Sequence, residues 1–200
     1  MIVFIPEGED SGNYLKSIEV ETMTRAYLKN KDDKLQRTLG KAGKSGVLDL
    51  RHPEMRDAKI DRIPEGLEEL IIDSSYTHDV SFISRVSGLK RLKVYNHTDD
   101  FSFLKGMDSL TELSLHNTGF NDMSVIRGLP LEKLYLDETS VDHPDLVYEM
   151  PSLKELWLTR SLANTIDIKL PRERNPQIIV DVISGGNIRT YLRKAEEPKG

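Results

Sequence analysis

Ser114, His116 and Asp137 are the residues whose types and spacing come nearest to catalytic chemistry. A hydroxyl nucleophile, an imidazole base and a carboxylate to orient it are the parts of an acyl-transfer triad. A second candidate, Gly40-Lys41-Ala42-Gly43-Lys44-Ser45, has the ending of a phosphate-binding loop. That motif also needs a glycine five residues before the one that precedes its lysine, and Thr38 stands there. The segment runs into an apolar alternating stretch rather than a helix N-terminus, so no cradle of backbone N–H groups follows it. The histidines are His52, His78, His97, His116 and His143, and no two have the i, i+4 spacing of a helical metal site. There is no cysteine, which excludes disulfides, a thiol nucleophile and thiolate-ligated zinc. No cofactor and no metal are expected.

The elements that must position these residues follow from a repeat. The phrase Leu-x-x-Leu-x-apolar begins at Leu67, Leu89, Leu110, Leu131 and Leu153. Its second leucine falls at Leu70, Leu92, Leu113, Leu134 and Leu156, so the steps are 22, 21, 21 and 22. Projecting one step outward reaches Leu48 at one end and Ile178 at the other, where the leading leucine is lost (Ser45 and Asn175). Terminal units must cap a stack rather than extend it, and degraded ends are the usual result.

A second pattern lies between these phrases. Asp79-Val80-Ser81-Phe82-Ile83, Asp100-Phe101-Ser102-Phe103-Leu104 and Asp122-Met123-Ser124-Val125-Ile126 share Asp-apolar-Ser-apolar-apolar, and Asp142 to Leu146 is a looser copy. Asp and Ser in that arrangement satisfy free N–H groups of a tight turn while the apolar residues point inward. Gly88, Gly106 and Gly128 follow as helix stops.

These residues resemble the leucine-rich-repeat family over about residues 46 to 183, and the period resembles its short-repeat group. That group includes bacterial internalin-type and phosphatase-regulator-type proteins. Ile63-Pro64-Glu65-Gly66-Leu67 is also similar to repeats of bacterial effectors. Some of those carry a separate cysteine-dependent ubiquitin-ligase domain, which a chain without cysteine does not take over. The resemblance implies an α/β solenoid, a horseshoe whose concave side is a parallel β-sheet and whose convex side is built of short helical or irregular turns. Strands stacked at roughly 4.8 Å would give seven units a sheet on the order of 30 Å long. The family's usual asparagine at the ninth position is replaced by His97, Thr118, Thr139 and Ser161, so a ladder along the bend is expected to use hydroxyls.

The expected organisation is an N-terminal cap over 1–45, repeats over 46–183 and a C-terminal cap and tail over 184–200. For the first segment two readings stand: a degenerate eighth unit, with Ile18-Glu19-Val20 alternating as a strand does, or a helical cap. At the other end Ser184-Gly185-Gly186 reads as a turn and Asn187 to Lys194 as a short helix. The first ten residues have no basic region or long apolar run, and no stretch approaches the roughly 18 to 20 apolar residues that span a bilayer. A cytoplasmic protein with no membrane partner is expected.

Strand alternation then decides which side chains are free. One outward column reads Asp49, Ile71, Lys93, Ser114, Tyr135, Trp157, Ile179; the next reads Arg51, Asp73, Tyr95, His116, Asp137, Thr159, Asp181. A third reads His52, Ser74, Asn96, Asn117, Glu138, Arg160. Ser114, His116 and Asp137 thus sit on an open sheet that excludes no water and offers no oxyanion donors, which argues against catalysis. Tyr95, Tyr135 and Trp157 form the expected centre of a protein-binding face. Asp73, Lys93, His116, Asp137, Glu138 and Arg160 are its polar rim. The formal charge of -5 points to a basic protein partner and away from nucleic acid. A non-enzymatic binding module is the expectation, with an immunity or inhibitor protein against a toxin or effector as its narrower form. A phosphatase regulatory subunit and a hydrolase using Ser114, His116 and Asp137 are the alternatives.

Overall fold

The computed structural model describes residues 11–96, 98, 100–165, 178–184 and 187–192, with backbone alone for 11–18, 184 and 187–192. A single open sheet of eight strands runs in chain order: β1 (Val47–Asp49), β2 (Glu69–Asp73), β3 (Arg91–Tyr95), β4 (Glu112–His116), β5 (Lys133–Asp137), β6 (Glu155–Thr159), β7 (Ile179–Ser184) and β8 (Asn187–Leu192). The first seven are mutually parallel. Leu48, Leu70, Leu92, Leu113, Leu134 and Leu156 are successive Cα partners, so the leucine spacing is the strand register.

The alternation has a direct packing cause. From β2 to β6 every strand reads half-buried, buried, half-buried, buried, half-buried. The leucine column and its companion (Ile72, Val94, Leu115, Leu136, Leu158) are fully buried on one face. Behind them lie Phe82, Ile83, Phe103, Leu104, Met123 and Ile126 from 3-10 helical turns in the connections. Phe101 joins this layer, edge-on to Phe120 at a centroid distance of 5.0 Å. Burying one such side chain contributes about 1.5–3 kcal/mol, which no single strand realises without its neighbours.

The Asp-x-Ser turns form as their residues require. Asp79, Asp100 and Asp122 each accept the N–H of the serine two residues on, at 3.0, 2.9 and 2.9 Å. The fourth, looser copy lacks this bond: the 3-10 turn Pro144–Glu149 starts after His143, which has a left-handed φ of 52° and no side-chain cap.

Residues Ser11–Ser45 form one long helix, α1, so of the two readings of this segment the helical one describes these residues and Ile18 to Val20 are not a strand. Gly40 to Ser45 are its last turns, with their N–H groups turned into the helix rather than toward a ligand. Leu35 and Ala42 are buried where α1 packs on β1 and on the 3-10 turn Pro53–Met55. The earlier stretch projects past that contact, with Val20, Met23, Tyr27 and Leu28 all more than half exposed. The helix ends on Gly46, whose φ of 72° lets the chain turn into β1; an added Cβ would meet the Gly66 carbonyl at 3.3 Å.

Two expectations at the far end are corrected. After β6 the chain makes a short helix, α2 (Arg160–Ala163), and the step to β7 is 24 residues: Leu156 pairs with Val180, not Ile178. Asp181 therefore stands beside Trp157, where Ile179 was expected, and Ile183 stands beside Thr159. Asn187–Leu192 is not a helix but β8, hydrogen-bonded antiparallel to β7. Gly185, Gly186 and the tail from 193 lie outside the described residues. No helix among the described residues is long and apolar enough to cross a membrane.

Candidate functional site

The face of the sheet opposite the leucines carries every outward column, and no element of the described chain packs over it between β2 and β6. Its first column, missed in the sequence reading, is Glu69, Arg91, Glu112, Lys133 and Glu155, alternating in sign from strand to strand. Arg91 donates to Glu69 at 3.0 Å, Lys93 to the same carboxylate at 2.9 Å, and Lys133 reaches Glu155 at 2.9 Å. Burial opposes the charge on Glu69, yet the bonds from Lys93 and Arg91 outweigh it and hold the carboxyl below its ordinary range. The same contacts push Lys93 and Lys133 upward, through Glu69 and Glu155 respectively. The signal for this column was present, since the alternation extends one residue before each second leucine. Just beyond it, Lys90–Glu68 at 2.6 Å and Lys154–Glu132 at 2.7 Å repeat the arrangement. Lys93, expected as a free rim cation, is thus already matched.

The aromatic residues form two groups rather than one centre. Tyr135 and Trp157 are register partners on β5 and β6 and stack, with centroids 5.5 Å apart and planes at 29°. Burial pushes the Tyr135 hydroxyl up, with nearby Glu112 adding to it. Tyr95, two strands from Tyr135, instead meets His116 at 5.8 Å and lies under the Arg51 guanidinium, whose Cζ is 5.4 Å from the ring centroid. Arg51 is fixed there by Asp49, through contacts of 3.0 and 2.8 Å, and this pairing lowers the Asp49 carboxyl.

His116 Nδ1 lies 2.6 Å from Asp137 Oδ2, joining two members of the triad across β4 and β5. The third is not engaged: among the described residues no hydrogen bond joins Ser114 to His116. Asp73 accepts from Asn96 Nδ2 at 3.0 Å and from the Ser75 N–H at 2.9 Å. Glu138 is exposed at a left-handed φ of 51°, and Arg160 is exposed at the start of α2.

The expected hydroxyl ladder is also corrected. Thr118 and Thr139 are buried toward the core, and the Thr139 hydroxyl has no partner among the described residues. Asparagines one residue earlier make the ladder: Asn117 Nδ2 donates to Asn96 Oδ1 at 3.1 Å, and Asn96 to Asp73. His97 lies outside the described residues, and Ser161 lies 3.2 Å from the Thr159 hydroxyl.

No protein-family model matches the chain, and no curated protein matches it.

Proposed function

We propose that this chain is a leucine-rich-repeat solenoid that acts as a non-enzymatic, cytoplasmic binding module, holding a basic protein partner on the open sheet face. The observation that carries the reading is the Tyr135–Trp157 stack on a face that no described element covers. Large, rigid aromatic surfaces bury much area at little entropic cost and dominate protein interfaces. Acidic residues outnumber basic ones among the outward columns, which favours a basic partner. An inhibitor or immunity role against a toxin or effector is the narrower form of this proposal. The absent Ser114–His116 hydrogen bond and the open setting favour binding over hydrolysis.

The test is affinity capture with the full chain and with Trp157→Ala plus Tyr135→Ala, followed by calorimetry on the purified partner. A partner lost by the double variant supports the proposal. A partner held equally by both, or hydrolase activity abolished by His116→Ala, overturns it.

A further inference from the structure

Two places on the sheet face opposite the leucines are built from a carboxylate and an aromatic surface, and among the described residues only one of them holds a cation. At the β1 to β3 end, Asp49 grips the Arg51 guanidinium and Tyr95 lies beneath it. At the β5 to β7 end, Tyr135 and Trp157 supply the aromatic surface, and Asp181 stands beside Trp157 in register. Asp181 is only 8% exposed, and its Oδ1 has no hydrogen-bond partner among the described residues. Leaving a buried carboxylate without a partner is costly. Of the other carboxylates on this part of the face, Glu155 is paired with Lys133 at 2.9 Å, Asp137 with His116 at 2.6 Å, and Glu112 has Lys93 at 3.8 Å.

We propose that Tyr135, Trp157 and Asp181 form a receptor for one arginine side chain presented by the partner. The guanidinium packs on the stacked rings and donates its N–H groups to Asp181, as Arg51 does with Tyr95 and Asp49 inside the chain. Arginine fits better than lysine because its planar fork both stacks and bonds a carboxylate along two directions. This inference rests on reading the face as a protein-binding surface, and it narrows the partner to one with an exposed arginine.

Trp157 is the only tryptophan, so its fluorescence reports on the site directly. The full chain is titrated with the capped tripeptide acetyl-Gly-Arg-Gly-amide and with its citrulline and lysine counterparts. The arginine peptide should give a saturable change with a dissociation constant on the order of millimolar. The lysine peptide should bind more weakly and the neutral citrulline peptide not at all. Asp181→Asn should weaken arginine binding by about tenfold, with the circular dichroism spectrum unchanged. Tyr135→Leu, which leaves the carboxylate in place, should weaken it as well. No saturable change, an equal response to citrulline, or undiminished binding by both variants overturns the proposal. Capture of a protein partner that persists in Asp181→Asn would discard the arginine receptor while leaving the binding function standing. An arginine response without any captured partner would do the reverse.

Discussion

The Asn117 side chain donates to the Asn96 side chain across β4 and β3 at 3.1 Å, and both residues sit at positive φ, 51° and 62°. Asparagine tolerates that backbone region better than other residues with a Cβ, and its amide supplies a donor and an acceptor at once. Asn117→Gly should keep the backbone and lose the bond; Asn117→Ala should lose both advantages; Asn117→Val should be worst. Losses of about 1–3 kcal/mol, in that order, are expected in denaturant unfolding.

Leu113 is fully buried between Leu92 and Leu134 in the leucine column, whereas Met23 on α1 is 72% exposed. Leu113→Ala should cost about 2–5 kcal/mol. Met23→Ala should stay within about 0.5 kcal/mol. Equal effects would mean that the projecting part of α1 is packed in solution.

Stability should fall on both sides of neutrality. Asp79 and Asp122 are held below the ordinary carboxylate range chiefly by the hydroxyls of Ser81 and Ser124, and Asp100 chiefly by the Ser102 N–H. A lowered acid stabilises the fold above its unfolded pKa, and that contribution is lost as pH falls below about 4 toward the depressed folded pKa. Lys93 and Lys133, raised by Glu69 and Glu155, stabilise below their unfolded pKa, so their contribution disappears as pH climbs beyond about 10. The raised Tyr135 acts in the same direction, because the unfolded chain ionises it first. Melting temperatures against pH should form a plateau with two shoulders. Replacing Asp79, Asp100 and Asp122 together by Asn should shrink the acid shoulder, leaving the part that Asp49 and Glu69 supply, and leave the alkaline one unchanged.

Residues already neutralised on the face should matter little for binding. With a captured partner, Trp157→Ala should weaken affinity by about 2 kcal/mol or more, and Lys133→Ala, whose ammonium is held by Glu155, by less than about 0.5 kcal/mol. Calorimetry that ranks the two the other way would relocate the interface to the charged columns.

The strands β2 to β6 were legible because each leucine must meet the next leucine, which makes sequence spacing and register the same quantity. The site was legible as far as those strands reach. It failed at β7, where the slip is two residues: an even slip keeps every side chain on its own face, so apolar alternation cannot register it. Asp181 consequently was placed one column away from Trp157. Asn187 to Leu192 was misread although Gly185-Gly186 before it is a hairpin signal and the segment has β-branched residues at Ile188 and Thr190. The asparagine ladder escaped notice because it depends on a positive φ at Asn96 and Asn117, which hydrophobic periodicity does not encode.

Each strand bonds only to the strands next to it along the chain. Order can therefore spread like a closing zip from any pair of neighbours, since each new contact closes a loop of little more than twenty residues. It also makes the protein divisible by arithmetic. Removing residues 91–111 would bring Glu112 to the place of Arg91 and Leu113 to that of Leu92, already their neighbours in register, and leave a shorter sheet with unchanged ends.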